Sequence, residues 1–255
     1  MLADLTAWLF TPLSGADSHA IAPAIAWHGR LMVAAWGLAV PLAVLLARYY
    51  KVTPGQDWPR ELDNPFWWHA HRTLNYAAAI LTAIGLWLVW EGARHTGPVR
   101  GLHETAGWCV AALTLMQITG AHLRGTKGGP TAPRLSPQGE MLDLHGDHYD
   151  MSPRRLLFER LHKGLGLASL ACGALALVLG LALADAPRWM AMALALWWAG
   201  LLAMALRLQR RGRCIDTYQA IWGPDPALPG ARLPPVGWGI RRLPPGATDI
   251  RHGTP

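Results

Sequence analysis

Four histidines, His28, His71, His103 and His162, are the residues of this sequence best placed to do chemistry. Each stands near the start of a different long apolar segment, where a metal-binding or ionisable side chain is costly to keep and so marks a candidate functional site. If consecutive segments cross a membrane in opposite directions, the first and third histidines approach one face and the second and fourth approach the other. The topology then predicts two pairs, His28 with His103 and His71 with His162. Two imidazoles facing each other across a helical bundle are the axial ligands that a low-spin b-type haem requires, with no covalent attachment.

The faces that carry these histidines are rich in small residues. Positions i+4, i+7 and i+11 share a helix face with position i. After His162 come Gly166, Ser169 and Gly173; after His103 comes Gly107; after His71 come Asn75, Ala78 and Gly85. The pattern predicts narrow slots for a porphyrin plane, and it also serves close helix packing in any membrane bundle. His69 lies about 200° round the helix from His71, so the two cannot serve one haem, and His71 has the small-residue face. His122 is off the His103 face and reads as interfacial, while His19, His95 and His252 lie in connections or tails. His145 and His148 could bind a metal with Asp147 or Asp150, although a solvated loop is the expectation there. Gln117 is on the His103 face about 21 Å deeper. It could hydrogen-bond a haem edge or a ligating histidine, or make an interhelical bond that matters only for packing. Arg72, Arg160 and Lys163 on one side, and Arg30 and Arg100 on the other, could neutralise haem propionates; interfacial anchoring explains each as well.

The elements that must position these residues follow from composition. The chain has 255 residues, 52% of them apolar and 15% charged, with 14 Trp, 11 His and a formal net charge of +7. Ordinary soluble domains carry about 25% charge, and here the charges crowd into a few segments. Five nearly charge-free stretches, about 26–48, 67–90, 103–124, 160–183 and 187–208, have helical length and composition for crossing a bilayer. The expected fold class is an all-α integral membrane protein, a four-helix haem-binding bundle plus one peripheral helix. Eighteen Lys and Arg fall on one side of the five spans and three on the other, which predicts an N-terminus on the outer, periplasmic face and a cytoplasmic C-terminus. No Lys or Arg precedes Arg30, so residues 1–25 read as a periplasmic segment and not as a cleavable signal peptide. The 26–208 region is the transmembrane domain. Its loop 125–159 and the tail 209–255, both rich in Pro and Gly, are expected to build no core of their own. Cys109, Cys172 and Cys214 have neither disulfide-framework, zinc-ribbon nor c-type haem spacing. Walker, dinucleotide-binding and H-E-x-x-H motifs are absent from the sequence.

These residues resemble the cytochrome b561 family, especially its DOMON-associated and bacterial branch. Trp27-His28-Gly29-Arg30-Leu31-Met32, followed by Trp36, Pro41 and Ala47-Arg48-Tyr49, looks like the first core helix. His71-Arg72 with Gly85, His103 through Gly107 to Gln117, and His162 with Gly166 look like the other three. The resemblance covers about residues 26–183 and implies two non-covalent haems b on the four histidines. Two features depart from the pattern. The approach to His71 reads Asn64-Pro65-Phe66-Trp67-Trp68 where ascorbate-using members have basic residues, so ascorbate is not the expected donor, and the fifth span carries no histidine.

The expected function is transmembrane electron transfer, from a cytoplasmic or membrane-pool donor to a periplasmic acceptor such as ferric iron or a redox protein. Whether the chain is a carrier only or a ferric-reductase-like oxidoreductase is open. The alternative is a histidine-lined metal or proton transporter without haem, disfavoured because the first four spans hold almost no Asp or Glu beyond Glu104. Membrane lipid is the one partner that can be named, a homodimer is compatible, and nothing points to nucleic acid.

Overall fold

A computed structural model describes residues 2–16, 20–90, 98–125, 132–139 and 141–244. His19, His95, His252, Arg94 and Lys127 lie outside the described residues. The chain is a multi-pass membrane protein with five helices, among the described residues, long and apolar enough to span a bilayer. A short helix, α1 (Leu2–Phe10), precedes them. The spans are α2 (Pro23–Tyr49), α3 (Phe66–Val89), α4 (Pro98–Leu123), α5 (Pro153–Leu183) and α6 (Arg188–Arg210). A further short helix, α7 (Thr217–Trp222), follows. α4 and α5 each begin several residues before the apolar stretch does, because Pro98 and Pro153 can open a helix where no N–H is needed. Large apolar side chains stand exposed along the spans, Ile80, Leu115, Leu167 and Leu196 among them, as lipid-facing surfaces require.

The chain divides into two compact units. The first contains Met1–Leu45, Ala70–Thr114 and Leu167–Ala205. Its core is Ala35, Trp36, Val40, Ala78, Val110, Leu177 and Leu194. α2 is not a uniform α-helix here: Val33–Ala39 is a π-helical stretch. Pro41 has no N–H to give the carbonyl of Gly37, so the regular i→i−4 ladder cannot close at that point. Two indoles of α6 use the exposed oxygen, Trp197 Nε1 at 3.1 Å and Trp198 Nε1 at 3.0 Å. The same stretch carries Trp36 into the core, where its Nε1 donates to Thr82 Oγ1 at 2.9 Å and the threonine donates to the Ala78 carbonyl at 2.7 Å. At the other end of this unit, Ser14 bonds both oxygens of Asp185 and so ties the segment after α1 to the α5–α6 turn.

The second unit contains Leu46–His69, Leu115–Gly166 and Leu206–Pro255. In the loop, strands β1 (Ala132–Leu135) and β2 (Met141–His145) pair antiparallel across a turn at Gly139, a small β element in an otherwise helical fold. The tail shares a core with another segment. Ile215, Ala220 and Leu243 pack with Val52 and Trp58 from the α2–α3 connection, and α7 is buried on nearly every residue. Tyr218 fastens the arrangement by donating to the Tyr149 carbonyl at 2.8 Å and accepting from the Gly230 amide at 3.1 Å. Burial pushes its phenol up to about 12, which keeps the donor proton in place.

Candidate functional site

In the first unit His28 sits on α2 and His103 on α4, five residues into its helix and not in the opening turn. Their half-buried rings face each other with centroids 6.2 Å apart and planes at 81°. Two imidazoles bound at about 2.0–2.1 Å to one metal ion would have ring centres about 6.3 Å apart. The pair therefore has the spacing of a bis-histidine site.

The remaining ring nitrogens are fixed by the main chain. His28 Nδ1 is 2.9 Å from the Gly85 carbonyl of α3, and His103 Nδ1 is 3.0 Å from the Ala176 carbonyl of α5. A carbonyl only accepts, so each Nδ1 must carry the proton and each Nε2 the lone pair, the tautomer that metal ligation requires. His71 Nδ1 lies 3.2 Å from the Ala43 carbonyl of α2, which only accepts, and 3.3 Å from the Asn75 amide nitrogen one turn on, which only donates.

His162 belongs to the second unit, nine residues inside α5. Its ring stacks on Phe158 at 5.1 Å, and its main-chain carbonyl accepts from Gln117 Nε2 at 2.9 Å. Gln117 thus makes an interhelical bond to the backbone of a candidate ligand rather than to its imidazole.

The small residues play two different parts. A Cβ on Gly107 would meet nothing within 4 Å, as a slot requires. At Gly85 it would strike the Met32 methyl, and at Gly173 the Trp36 ring, so these two glycines are contact points between helices. Ala78 and Ser169 are likewise buried in packing. Gly180 carries no signal in the sequence, yet a Cβ there would stand 3.0 Å from His103 Cε1, so this glycine makes room for the His103 ring. Its signal, a glycine one turn beyond the carbonyl of Ala176 that holds His103, exists only in three dimensions.

Of the candidate cations, Arg30 lies over the Trp27 ring at 5.0 Å, Arg100 pairs with Glu104 at 3.2 Å, and Arg72 and Arg160 are exposed. Lys163 is engaged by Glu159 at 2.9 Å and by the Val236 carbonyl at 2.7 Å. Glu159 is a buried acid inside α5, where the earlier helix start brings it, against the expectation of acid-free inner helices. It also meets Arg155 at 3.4 Å and His148 at 3.8 Å. The R-x3-E-x3-K spacing of Arg155, Glu159 and Lys163 was visible in the sequence as an i, i+4, i+8 ladder. His148 is fully buried beside Glu159, which corrects the expectation of a solvated loop there; among the described residues no group of three His, Cys, Asp or Glu side chains could hold a metal ion. Nearby, burial and the Lys163 charge bring the Lys51 ammonium down to about 8, while its Nζ donates to the Ile215 carbonyl at 3.1 Å.

No protein-family model matches the chain, and no solved structure does. Among curated proteins, ferric-chelate reductase 1 of Bos taurus is 28% identical over 157 residues, covering 60% of this chain and 22% of the relative. A cytochrome b561 and DOMON domain-containing protein of Arabidopsis thaliana is 29% identical over 103 residues, covering 39% of this chain and 20% of its own length. A second Arabidopsis thaliana protein, with cytochrome b561, DM13 and DOMON domains, is 26% identical over 160 residues, covering 62% of this chain and 15% of the relative. The chain thus spans about a fifth of the length of these relatives.

Proposed function

Given that the chain is related to the cytochrome b561 family, we propose that it carries electrons across a bacterial inner membrane through two b-type haems. His28 and His103 would hold the haem nearer the periplasm, and His71 and His162 the one nearer the cytoplasm. Bound there, each haem would supply a one-electron carrier held by two histidines of the chain.

The observation that carries this reading is the His28–His103 pair, two rings at bis-imidazole spacing with both Nδ1 protons committed to carbonyls. The residues of the chain do the positioning. Main-chain carbonyls of α3, α5 and α2 orient His28, His103 and His71, and they do so without placing a charge in the apolar span. Trp36 and Thr82 satisfy each other in the core, so that interior presents no loose polar group to recruit water. Electrons would enter from a cytoplasmic or membrane-pool donor and leave to a periplasmic acceptor, ferric iron or a redox protein.

Pyridine haemochrome analysis of the purified protein tests the stoichiometry, with two haems b per chain expected. His103→Ala should leave one haem, and His71→Ala should also leave one, whereas His69→Ala should keep both. In sealed vesicles loaded with a trapped acceptor, an impermeant reductant outside should reduce it through the intact protein and not through His103→Ala. A protein that purifies without haem yet moves metal ions or protons would instead establish the transporter reading.

A further inference from the structure

Near its end the tail contains Pro234-Pro235-Val236-Gly237-Trp238-Gly239. Trp238 is the most exposed large apolar side chain described, at 86%, although its backbone is firmly held. Arg48 donates to the Trp238 carbonyl at 2.8 Å, Gln209 to the Gly239 carbonyl at 2.7 Å, and Lys163 to the Val236 carbonyl at 2.7 Å. Arg48 and Gln209 are the next-to-last residues of the spans α2 and α6, and they bond each other at 3.2 Å. The strap is therefore fixed at the level where two membrane helices end.

Both flanking glycines are needed for this. Gly237 and Gly239 have φ of +118° and +64°, and a Cβ on Gly239 would sit 3.1 Å from Gln209 Nε2 and 3.2 Å from an Arg48 nitrogen. The local structure thus presents an indole outward at one height. A large amphipathic ring at the end of a span belongs in the headgroup region of a bilayer, where its apolar body and its N–H are both satisfied. The charge nearby has the sign to match: Arg207, Arg210 and Arg211 at the end of α6 are exposed, and juxtamembrane clusters of Lys and Arg attract anionic lipid. In the same unit, Leu206 of α6 is 49% exposed three residues before Gln209.

We propose that the tail is a membrane-surface strap, with Trp238 inserted in the headgroup region of an anionic leaflet beside the α6 arginines.

The test places the photo-crosslinking residue benzoylphenylalanine at position 238 of the full chain, in nanodiscs of phosphatidylcholine and phosphatidylglycerol. Position 196, exposed on α6, serves as the lipid-facing control, and position 232, exposed elsewhere in the tail, as the aqueous control. After irradiation, mass spectrometry should find lipid adducts at 238 at a yield close to that at 196 and several-fold above that at 232, with phosphatidylglycerol over-represented relative to its share of the disc. A yield at 238 no higher than at 232, or adducts to a second copy of the chain in place of lipid, would overturn the proposal. Adducts with no preference for phosphatidylglycerol would overturn the role given to the arginines.

Discussion

The two units solve the problem of buried polar groups in opposite ways. In the first, the histidines are oriented by main-chain carbonyls, at 2.9 Å for His28, 3.0 Å for His103 and 3.2 Å for His71, and no full charge is brought into the core. In the second, formal charges are buried together: Glu159 with Lys163 and Arg155, and Asp216 with Arg242 at 2.6 Å. The difference follows from surroundings. A neutral imidazole needs one acceptor, which a neighbouring helix supplies without a charge, whereas a lone ion among lipid-facing helices would have no inexpensive partner. The second unit includes loops and tail that offer carbonyls and opposite charges, so it can hold ions and use them to tie segments together.

The largest effect is expected where that second strategy is broken at one side only. Glu159→Gln leaves Lys163 and Arg155 without their buried counter-charge, and removal of one partner from such a cluster costs about 3–5 kcal/mol. Asp57→Asn removes the partner of Arg60 from a pair whose side chains are 56% and 85% exposed, and should change stability by less than about 0.5 kcal/mol. Denaturant unfolding of the two variants in nanodiscs measures both. Equal losses would mean that Glu159 is not the organising charge of its unit.

A smaller and pH-dependent effect is expected at Lys51. Its ammonium titrates at about 8 in the fold, first because it is buried and second because Lys163 repels it, with Cys214, Asp216 and Glu159 acting in the other direction. Below pH 8 both folded and unfolded chains carry the charge, and the fold bears the whole penalty. Between pH 8 and the ordinary lysine range near 10.4 the unfolded chain holds the proton that the folded chain has lost, so stability should rise with pH, by up to about 3 kcal/mol. Lys51→Met should abolish that rise. An unchanged slope in the variant would assign the pH dependence to other groups.

Much of the first unit was legible in the sequence because its determinants are local. Five apolar stretches gave the spans, and one histidine near the start of each of four spans gave the candidate ligands. What sequence could not supply was the partner across space. Gly85 and Gly173 read as slots, and they are the points where Met32 and Trp36 press in from α2. Gln117 stood on the expected face, but only the approach of α5 decides that it bonds a backbone carbonyl. The partner of the tail was not legible for a related reason: a segment with many prolines and glycines shows no core when counted alone. Ile215, Ala220 and Leu243 acquire a core only with Val52 and Trp58, more than 150 residues earlier.

The smallest expected effect tests the first strategy at its tightest point. A methyl group at Gly180 would meet His103 Cε1 at 3.0 Å, closer than ordinary van der Waals contact, while the same group at Gly164 of the second unit meets nothing within 4 Å. Glycine-to-alanine in a helix interior gains about 0.5–1 kcal/mol from backbone entropy when nothing opposes it. Gly164→Ala should show that gain in unfolding measurements. Gly180→Ala should lose most of it, because the His103 ring must turn away from the new methyl by a few tenths of an ångström while its Nδ1 remains tied to the Ala176 carbonyl. The loaded Gly180→Ala protein should still contain two haems, with the low-spin ferric electron paramagnetic resonance signal of one of them shifted and that of the other unchanged, since signal position depends on imidazole orientation. Both signals unchanged, together with the full alanine gain, would show that Gly180 does not set the His103 ring, and the orientation of this ligand would then rest on the Ala176 carbonyl alone.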